Sequence, residues 1–380
     1  MKFFKSFNPP LGGRGAIFFL LIIFLTSCIS ENNKRSTEKL DVDSPETITL
    51  IFAGDVMHHM PQMNASHVLK TNSLDYTPVF QFVKPFVQSA DLAFCNFETI
   101  LGGKPYSGYP QFSAPDELLF ALKDCGFDIM QIANNHILDR GSKGLERTIQ
   151  MIKEQGMYSV GAYINKDHRD IEYPPIFNLK GVKIAVLNYT YGTNGLPTMR
   201  PNLVNEVDSV QIIKDIHYAR QQKADLVLAL MHWGWEYQLQ SDKIQHVWAD
   251  FLVSNGIDLI IGSHPHVVQE VEFKVNKDKF IPVYYSLGNF VSNQRERHRN
   301  GGIVAKIEIN TERKEITTAK YIPFYVYKGN LNNLRQYYLI PTQNFIEKPS
   351  EFLIPKQDSL ELVDFHKNVT DKLSNIKISQ

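Results

Sequence analysis

The sequence predicts an α/β fold built on a mixed β-sheet. The chain has 380 residues, of which 43% are hydrophobic, so it can bury one large core or two modest ones. Short apolar runs recur along the chain, and many are followed by a stretch with helical periodicity. After Gly301, by contrast, one strand-like run follows another. The alternation predicts parallel strands, and the change of pattern predicts an antiparallel part in the last third of the core.

Seven apolar runs have the length and composition of buried strands. They show little polar alternation, which is typical of strands covered on both faces. The runs lie at 48–52, 92–94, 127–132, 182–187, 226–230, 259–261 and 283–285.

Helical patterns lie between these strands. The stretch 113–126 is the clearest, because Ser113 can cap a helix, Pro115 suits a first turn and Gly126 suits the end. The other helical patterns cover about 78–89, 142–155, 206–222 and 241–255. No internal repeat and no shift of composition divides residues 48–340 into two domains, and the polar segment 343–380 reads as a peripheral extension with one possible helix.

The N-terminus has the layout of a bacterial lipoprotein signal peptide. Basic residues precede an apolar run at 16–25, and the sequence Leu-Thr-Ser-Cys then ends at Cys28. Ten apolar residues rise about 15 Å as a helix, roughly half the thickness of a bilayer core. We therefore expect residues 1–27 to be an export signal, Cys28 to be lipidated, and polar residues 28–46 to form a flexible tether on a bacterial envelope membrane. A plain signal peptide with an incidental Cys28 is the alternative.

Charge and cysteine content restrict the classes of protein further. Forty basic and 40 acidic residues give a net charge of zero, which argues against a generic nucleic-acid binder. Cys95 and Cys125 each lie in an apolar stretch. We interpret them as buried thiols, with a disulfide as the alternative in an exported compartment.

Five segments share one form, an apolar strand that ends in polar residues able to bind metal. Because ligands gather at the carboxyl ends of strands in an α/β sheet, these five ends can converge in space. Any one such residue is usually a turn former or a helix cap, but the joint pattern predicts a metal site. The segments are GDVMHH at 54–59, NFET at 96–99, NNHILDRG at 134–141, HWGWE at 232–236 and GSHPH at 262–266.

Together the segments supply oxygen and imidazole groups. Such a set suits one or two divalent ions of the manganese, iron or zinc type. The candidate residues are Asp55, Glu98, Asn135, His136, His232, His264 and His266.

In this order, and with SLGNF at 286–290, the segments resemble the CapA proteins associated with poly-gamma-glutamate capsules. Those proteins are similar to calcineurin-type metallophosphoesterases. The resemblance covers roughly residues 48–291. It implies a four-layer αββα sandwich, in which two mixed sheets lie face to face with helices outside, as one domain at 47–342.

The resemblance also implies a two-metal site. Phosphoesterases of this type hold two ions that activate water and clamp both ends of the displacement, and a carboxylate bridges the two ions. By the resemblance, Glu98 is that bridge. One ion is then held by Glu98, Asn135, His232 and His264, and the other by Glu98, Asp55 and His266.

His136 matches the residue that protonates the leaving oxygen as a general acid in this resemblance. Asp139, three residues later, either orients His136 or caps the following helix. The first motif departs from the phosphoesterase pattern Asp-x-His, since Val56 and Met57 follow Asp55. Glu98 stands where the second motif usually has Asp. Because the first motif has no His two residues after Asp55, the second ion site lacks that motif's imidazole unless His58 or His59 reaches it.

Three weaker features have competing interpretations. The loop 189–195 either lines the cleft or is a long aromatic loop, and the aromatic residues of 233–237 either form a binding platform or pack in the core. The basic run 295–299 either attracts carboxylates of a polymer or is a solvated loop.

Two main functions follow from the sequence. The first is a membrane-anchored, metal-dependent hydrolase that acts on a phosphoester or an envelope polymer. The second is an accessory protein that binds an anionic surface polymer at the metal site without turnover, with polymer-synthase membrane proteins as partners. A structural lipoprotein with a vestigial site is a third hypothesis. Membrane lipid is an expected partner in each case through Cys28, and nucleic acid is not.

Overall fold

The computed structural model describes residues 46–331 and 333–378. Cys28, the predicted signal peptide and all of the predicted tether except residue 46 lie outside the described residues. Within these ranges, no helix is both long and apolar enough to cross a bilayer.

The first of two large sheets is mixed. Its central strand, Thr47–Val56, pairs in parallel with Leu92–Asn96 on one side and antiparallel with Gly301–Asn310 on the other. The parallel half follows from the alternating pattern, and the antiparallel half follows from the strands after Gly301. In order across the sheet, the strands are Leu334–Pro341, Glu315–Leu331, Gly301–Asn310, Thr47–Val56, Leu92–Asn96, Ile129–Gln131 and Tyr158–Val160, with Asn289–Val291 beside the central strand and Lys377–Ile378 beside the second.

The second sheet is also mixed. Leu226–His232 pairs in parallel with Val182–Thr190 and Leu259–Ser263, and both edge strands are antiparallel to their neighbours. In order, the strands are Val271–Asn276, Lys279–Tyr284, Leu259–Ser263, Leu226–His232, Val182–Thr190 and Ile176–Leu179. Two small ribbons pair Leu203–Val204 with Ala162–Tyr163, and His67–Val68 with Ser73–Leu74.

The two sheets pack face to face, and helices cover their outer faces. Successive side chains of a strand point to opposite faces, so the central strand serves two cores. Leu50 and Phe52 pack in the cluster that includes the second sheet, whereas Ile51 packs in the cluster that includes helices Asp116–Cys125 and Gly141–Glu154. The predicted αββα sandwich is therefore confirmed.

The helices fall close to the predicted positions. Predicted helix 78–89 is instead two short helices, because Pro85 lacks the amide hydrogen that a continuous helix needs. The helices are Met60–Ala65, Thr77–Phe80, Lys84–Gln88, Asp116–Cys125, Gly141–Glu154, Lys166–Glu172, Ser209–Gln221, Lys243–Ser254, Thr342–Glu347 and Lys356–Lys372, with a 3-10 turn at Pro349–Glu351.

The cap predicted for Asp116–Cys125 is half right. Gly126 ends the helix in the left-handed region at φ 112°, as expected. The prediction for Ser113 is wrong, because its Oγ donates 2.7 Å to the carbonyl of Gly103 and Pro115 occupies the N-cap position.

The C-terminal segment contributes to the core. Helix Lys356–Lys372 buries Leu362, Phe365 and Val369 in the cluster that includes the first sheet. Cys95 and Cys125 are both buried free thiols, so they do not form the alternative disulfide.

Candidate metal centre

The five polar segments meet at one edge of the sandwich. Asp55, Glu98 and Asn135 come from the first sheet or the loops that follow its strands. His232 ends a strand of the second sheet, and the segment 264–266 follows the next strand. The first sheet thus supplies the oxygen groups and the second sheet the imidazoles. All six predicted ligands are buried, with at most 3% of any of them exposed.

Glycines allow the backbones to approach closely at this edge. A Cβ atom on Gly54 would lie 1.9 Å from the carbonyl oxygen of Gly288, and one on Gly262 would lie 2.0 Å from that of Tyr285. Gly54 immediately precedes the predicted ligand Asp55, and Gly262 lies two residues before the predicted ligand His264. A larger residue at Gly54 would push the Asp55 strand away from Gly288, and one at Gly262 would push the strand that precedes His264 away from Tyr285.

Two buried carboxylates share one amide donor. The side-chain nitrogen of Asn96 lies 2.8 Å from Oδ1 of Asp55 and 3.1 Å from Oε2 of Glu98. Asp55 and Asn96 are register partners on neighbouring parallel strands, which explains why the amide reaches both acids. Asn96 therefore orients the carboxylates, a role that the sequence reasoning missed although Asn96 opens the second motif.

The remaining oxygen of Glu98 faces two imidazoles. Oε1 lies 3.6 Å from Nε2 of His266 and 3.8 Å from Nε2 of His232. His266 also contacts Asp55, with 3.0 Å between Nδ1 and Oδ2, and His232 lies 3.0 Å from Oδ1 of Asn135. Glu98 is thus central to the cluster.

The loop that carries His264 and His266 is held in an uncommon conformation. His264 has φ 99° and His266 has φ 58°, and both angles lie in the left-handed region that residues other than glycine rarely adopt. The amide of His264 donates 3.2 Å to Asp55, which fixes the loop against the first sheet. Such conformations persist only where surrounding contacts determine them, and they are concentrated at functional sites.

The electrostatics of the cluster favour a bound cation. Burial raises the pKa of Glu98 well above its usual value, and the Asp55 carboxylate raises it further. Burial lowers the pKa of His264 to about 3, and burial with the neighbouring imidazoles lowers that of His232 well below its usual value. Burial alone would raise the pKa of Asp55, but the hydrogen bond and charge of His266 hold it below its ordinary value. His232 and His264 are therefore neutral, as metal ligands must be.

Several polar atoms of the cluster are buried without a hydrogen-bond partner among the described residues. They include Oε1 of Glu98, Nδ1 of His264 and Oδ1 of Asn96. An unpaired buried polar atom costs about 1–3 kcal/mol, so atoms of this kind need a ligand. Two groups have ligand atoms within 4.8 Å of one another, Glu98 with His264 and His266, and Asp55 with Glu98 and His232. The residues fit one or two divalent cations.

Glu98 belongs to both groups, as the resemblance implied for a bridging carboxylate. The imidazoles are grouped differently, since the resemblance placed His232 and His264 together.

His136 and Asp139 form a buried pair beside the cluster. Nδ1 of His136 lies 2.8 Å from Oδ2 of Asp139, which also accepts a 2.7 Å hydrogen bond from the amide of Phe112. The ring of Phe112 packs edge-on against His136 at 4.5 Å. Helix Gly141–Glu154 has no side-chain cap, so Asp139 contacts His136 instead of capping that helix.

His58 and His59 lie outside both groups. His58 lies 3.3 Å from the carbonyl of Ser107 and 3.3 Å from the hydroxyl of Tyr76. His59 contacts Gln62 at 3.2 Å, and its Nδ1 lies 3.3 Å from the amide of Asn293. Neither imidazole therefore replaces the one missing from the first motif.

Aromatic side chains form the rim of the cluster. The ring of Tyr191 is 47% exposed and lies 4.6 Å from that of His264, whereas Tyr189 is buried in the core. Tyr237 lies 5.9 Å from His266 and stacks 3.5 Å below the guanidinium of Arg299. The loop 189–195 thus reaches the cleft through Tyr191.

The aromatic run after His232 divides between core and rim. Trp233 is buried and donates to the carbonyl of Tyr285, whereas Trp235 is 65% exposed. The arginines of the basic run 295–299 have partners within the chain: Arg295 donates to the carbonyl of Val326, Arg297 pairs with Asp364 and Arg299 lies over Tyr237.

Comparison with known proteins identifies relatives over most of the chain. The family model for the bacterial capsule synthesis protein PGA_cap matches residues 49–294. The chain is 33% identical over 261 residues to the capsule biosynthesis protein CapA of Bacillus anthracis, covering 66% of this chain and 61% of the relative. It is 28% identical over 286 residues to the PGA biosynthesis protein CapA of Bacillus subtilis, covering 73% and 70% respectively.

Two solved structures are also similar. A phosphatase from Mycoplasma pneumoniae aligns with a TM-score of 0.44 and 14% identity, covering 74% of this chain and 95% of that one. The NAD nucleotidase of Haemophilus influenzae aligns with a TM-score of 0.46 and 12% identity, covering 86% and 60%. Both scores lie below 0.5.

Proposed function

This chain belongs to the bacterial capsule synthesis protein family, and from that premise we propose that it is a metal-dependent hydrolase that acts in the synthesis, export or attachment of a capsule polymer. Poly-gamma-glutamate is the polymer that the family name indicates, and a phosphoester of the envelope is the other substrate class. The protein is exported and anchored to a membrane through lipidated Cys28, beside membrane proteins of the polymer synthase.

One observation carries the proposal. The unpartnered Oε1 atom of Glu98 lies between the Nε2 atoms of His266 and His232, two imidazoles from the opposite sheet, at 3.6 and 3.8 Å. A site built only for stability would pair that oxygen with a donor, because a buried carboxyl group without one is costly. The arrangement supports a cation held by Glu98, Asp55 and the three imidazoles.

The ions would supply Lewis-acid polarisation and activation of water. Residues of the chain would orient the ligands and supply the proton. Asn96 keeps the two carboxylates apart and oriented, as the contacts around metal ligands commonly do. With Nδ1 of His136 fixed by Asp139 at 2.8 Å, Nε2 is the atom that can give a proton to a leaving group. Phe112 packs on the same ring and excludes water from that pair.

A second candidate function is an accessory protein that binds the polymer at the metal site without turnover. It is favoured by the position of His58, which is bound to Ser107 and Tyr76, so the first motif offers only Asp55. A relative from Mycobacterium tuberculosis, 25% identical over 177 residues, is named a probable polyglutamine synthesis accessory protein.

The first test is the metal content of the purified chain, measured by elemental mass spectrometry without chelator or added metal. We expect one or two equivalents in the wild type and a loss in His264→Ala. His67→Ala is the matched control, because His67 is exposed and its side chain bonds Asn72, which is not a predicted metal ligand. No metal in the wild type, even after reconstitution with manganese, iron and zinc, would contradict the hydrolase. With metal established, hydrolysis of phosphoesters or poly-gamma-glutamate decides between the two functions.

A further inference from the structure

A groove runs between the loop 293–300 and helix Lys356–Lys372, and none of the residues that line it is a predicted metal ligand. Its volume is about 460 Å³. A smaller groove of about 230 Å³ adjoins it and shares His298 and Phe365. Together they are large enough for a small organic molecule with a side chain.

Asn300 lines this groove and has a buried side-chain oxygen without a hydrogen-bond donor in the described part of the chain. Its side chain is 5% exposed, and Oδ1 is buried without a hydrogen-bond partner among the described residues. Its main-chain carbonyl accepts a 2.8 Å bond from Val326, which fixes the backbone in the first sheet. A buried amide oxygen without a donor costs about 1–3 kcal/mol unless a ligand or water meets it. The amide therefore points to a hydrogen-bonding ligand.

The two walls of the groove carry opposite charges. The loop contributes Arg295 and Arg297, and the helix contributes Glu361 and Asp364. The side chain of Arg295 is held in place, because its Nη1 donates 2.6 Å to the carbonyl of Val326 and its guanidinium lies over the ring of Tyr325.

The acidic wall is partly held in the same way. The hydroxyl of Tyr325 donates 3.0 Å to Glu361, which is thereby positioned opposite Arg295. Asp364 pairs with Arg297 across the groove at 2.9 Å, but the two side chains are 46% and 65% exposed. Exposed pairs of this kind contribute little, so a ligand can replace that contact.

We propose that this groove binds a small zwitterion of the α-amino-acid class. The ligand carboxylate meets the arginine wall, and the ammonium group meets Glu361 and donates to Oδ1 of Asn300. An anion without an ammonium group would meet the acidic wall unpaired, and an amine without a carboxylate would meet the arginines. The apolar groups of Leu360 and Phe365 contact the ligand side chain. The site shares no residue with the metal centre, so it does not depend on the proposed hydrolase.

Calorimetry on the full chain in detergent tests the proposal. The probes are the common free amino acids, and any that binds is compared with its analogue that lacks the ammonium group and its analogue that lacks the carboxylate. For leucine these analogues are 4-methylpentanoate and isopentylamine. We expect at least one amino acid to bind and its two analogues to bind about tenfold more weakly or not at all.

Variants then locate the binding. Glu361→Gln preserves side-chain size and removes the negative charge, whereas Arg295→Gln removes the positive charge and shortens the side chain. Each should weaken binding by about tenfold or more. Arg313→Gln is the control, because Arg313 is an exposed arginine paired with Glu315 on a distant turn. Metal content should be unchanged in all three. The proposal is overturned if no amino acid binds at about 1 mM, if the analogue that lacks the ammonium group binds as well as its amino acid, or if Glu361→Gln binds like the wild type.

Discussion

Replacing Glu98 with Gln should remove metal binding while leaving the fold intact. Gln has nearly the same volume, and its amide can still contact Asn96, but a neutral amide oxygen is a much weaker ligand than a carboxylate. Glu98 is common to both groups of ligand atoms, whereas His264 and His232 each belong to one. Glu98→Gln should therefore lose all bound metal, while His264→Ala should lose metal from one group.

The size of the effect follows from linkage. A metal present at about 100 times its dissociation constant stabilises the folded state by about 2.7 kcal/mol. The wild type should therefore gain thermal stability on addition of manganese or zinc, and Glu98→Gln should gain almost none. Elemental mass spectrometry and calorimetric unfolding with and without metal measure both quantities.

Glu236→Gln is the matched control for Glu98→Gln. Glu236 is an exposed acid beside the cluster, close enough to raise the pKa of Glu98. It should keep its metal and its metal-induced stabilisation. The assignment of Glu98 as the central ligand is refuted if Glu98→Gln retains as much metal as Glu236→Gln.

Three further outcomes are expected. His136→Ala should keep its metal and lose at least 100-fold in turnover of a substrate whose leaving group needs a proton, measured at saturating metal, and equal activity would show that His136 is not the acid. Cys28→Ser should move the protein from the membrane fraction to the soluble fraction, and a variant that still sediments with membranes would exclude lipidation as the anchor. Leu362→Ala, at a fully buried position of the last helix, should lower the free energy of unfolding by about 2–5 kcal/mol without changing metal content, and an unchanged denaturation midpoint would mean that the helix does not stabilise the domain.

Much of the fold was predictable because the strands are buried on both faces. Runs such as 226–230 carry no polar residue, so their position along the chain is clear without knowing their neighbours. Caps were less predictable, since Ser113 has the right residue type but its hydroxyl bonds Gly103. Sequence patterns give propensity, whereas tertiary contacts decide which partner a hydroxyl takes.

The residues that form the site could be predicted from the sequence, but the contacts between particular imidazoles and carboxylates could not. Polar residues at strand ends must meet at one edge of the sheets, so Asp55, Glu98 and the imidazoles were found together. Which imidazole lies beside which carboxylate depends on the positive φ angles at His264 and His266. Those angles cannot be predicted from the residue types at these positions. The role of Asn96 depends on register, which places it beside Asp55 only after the strands pair.

The division of the ligands between the two sheets determines the stage of folding at which the ion can bind. The oxygen groups come from one sheet and the imidazoles from the other, so neither half of the molecule alone has a complete coordination sphere. A bound ion joins the two layers much as a disulfide joins two strands, and removing it with a chelator should speed hydrogen exchange at this edge of the sandwich first. Because the unfolded chain lacks the assembled site, the ion is acquired in whichever compartment folding is completed. For an exported chain, the metal supply outside the cytoplasm would then determine which ion the protein carries.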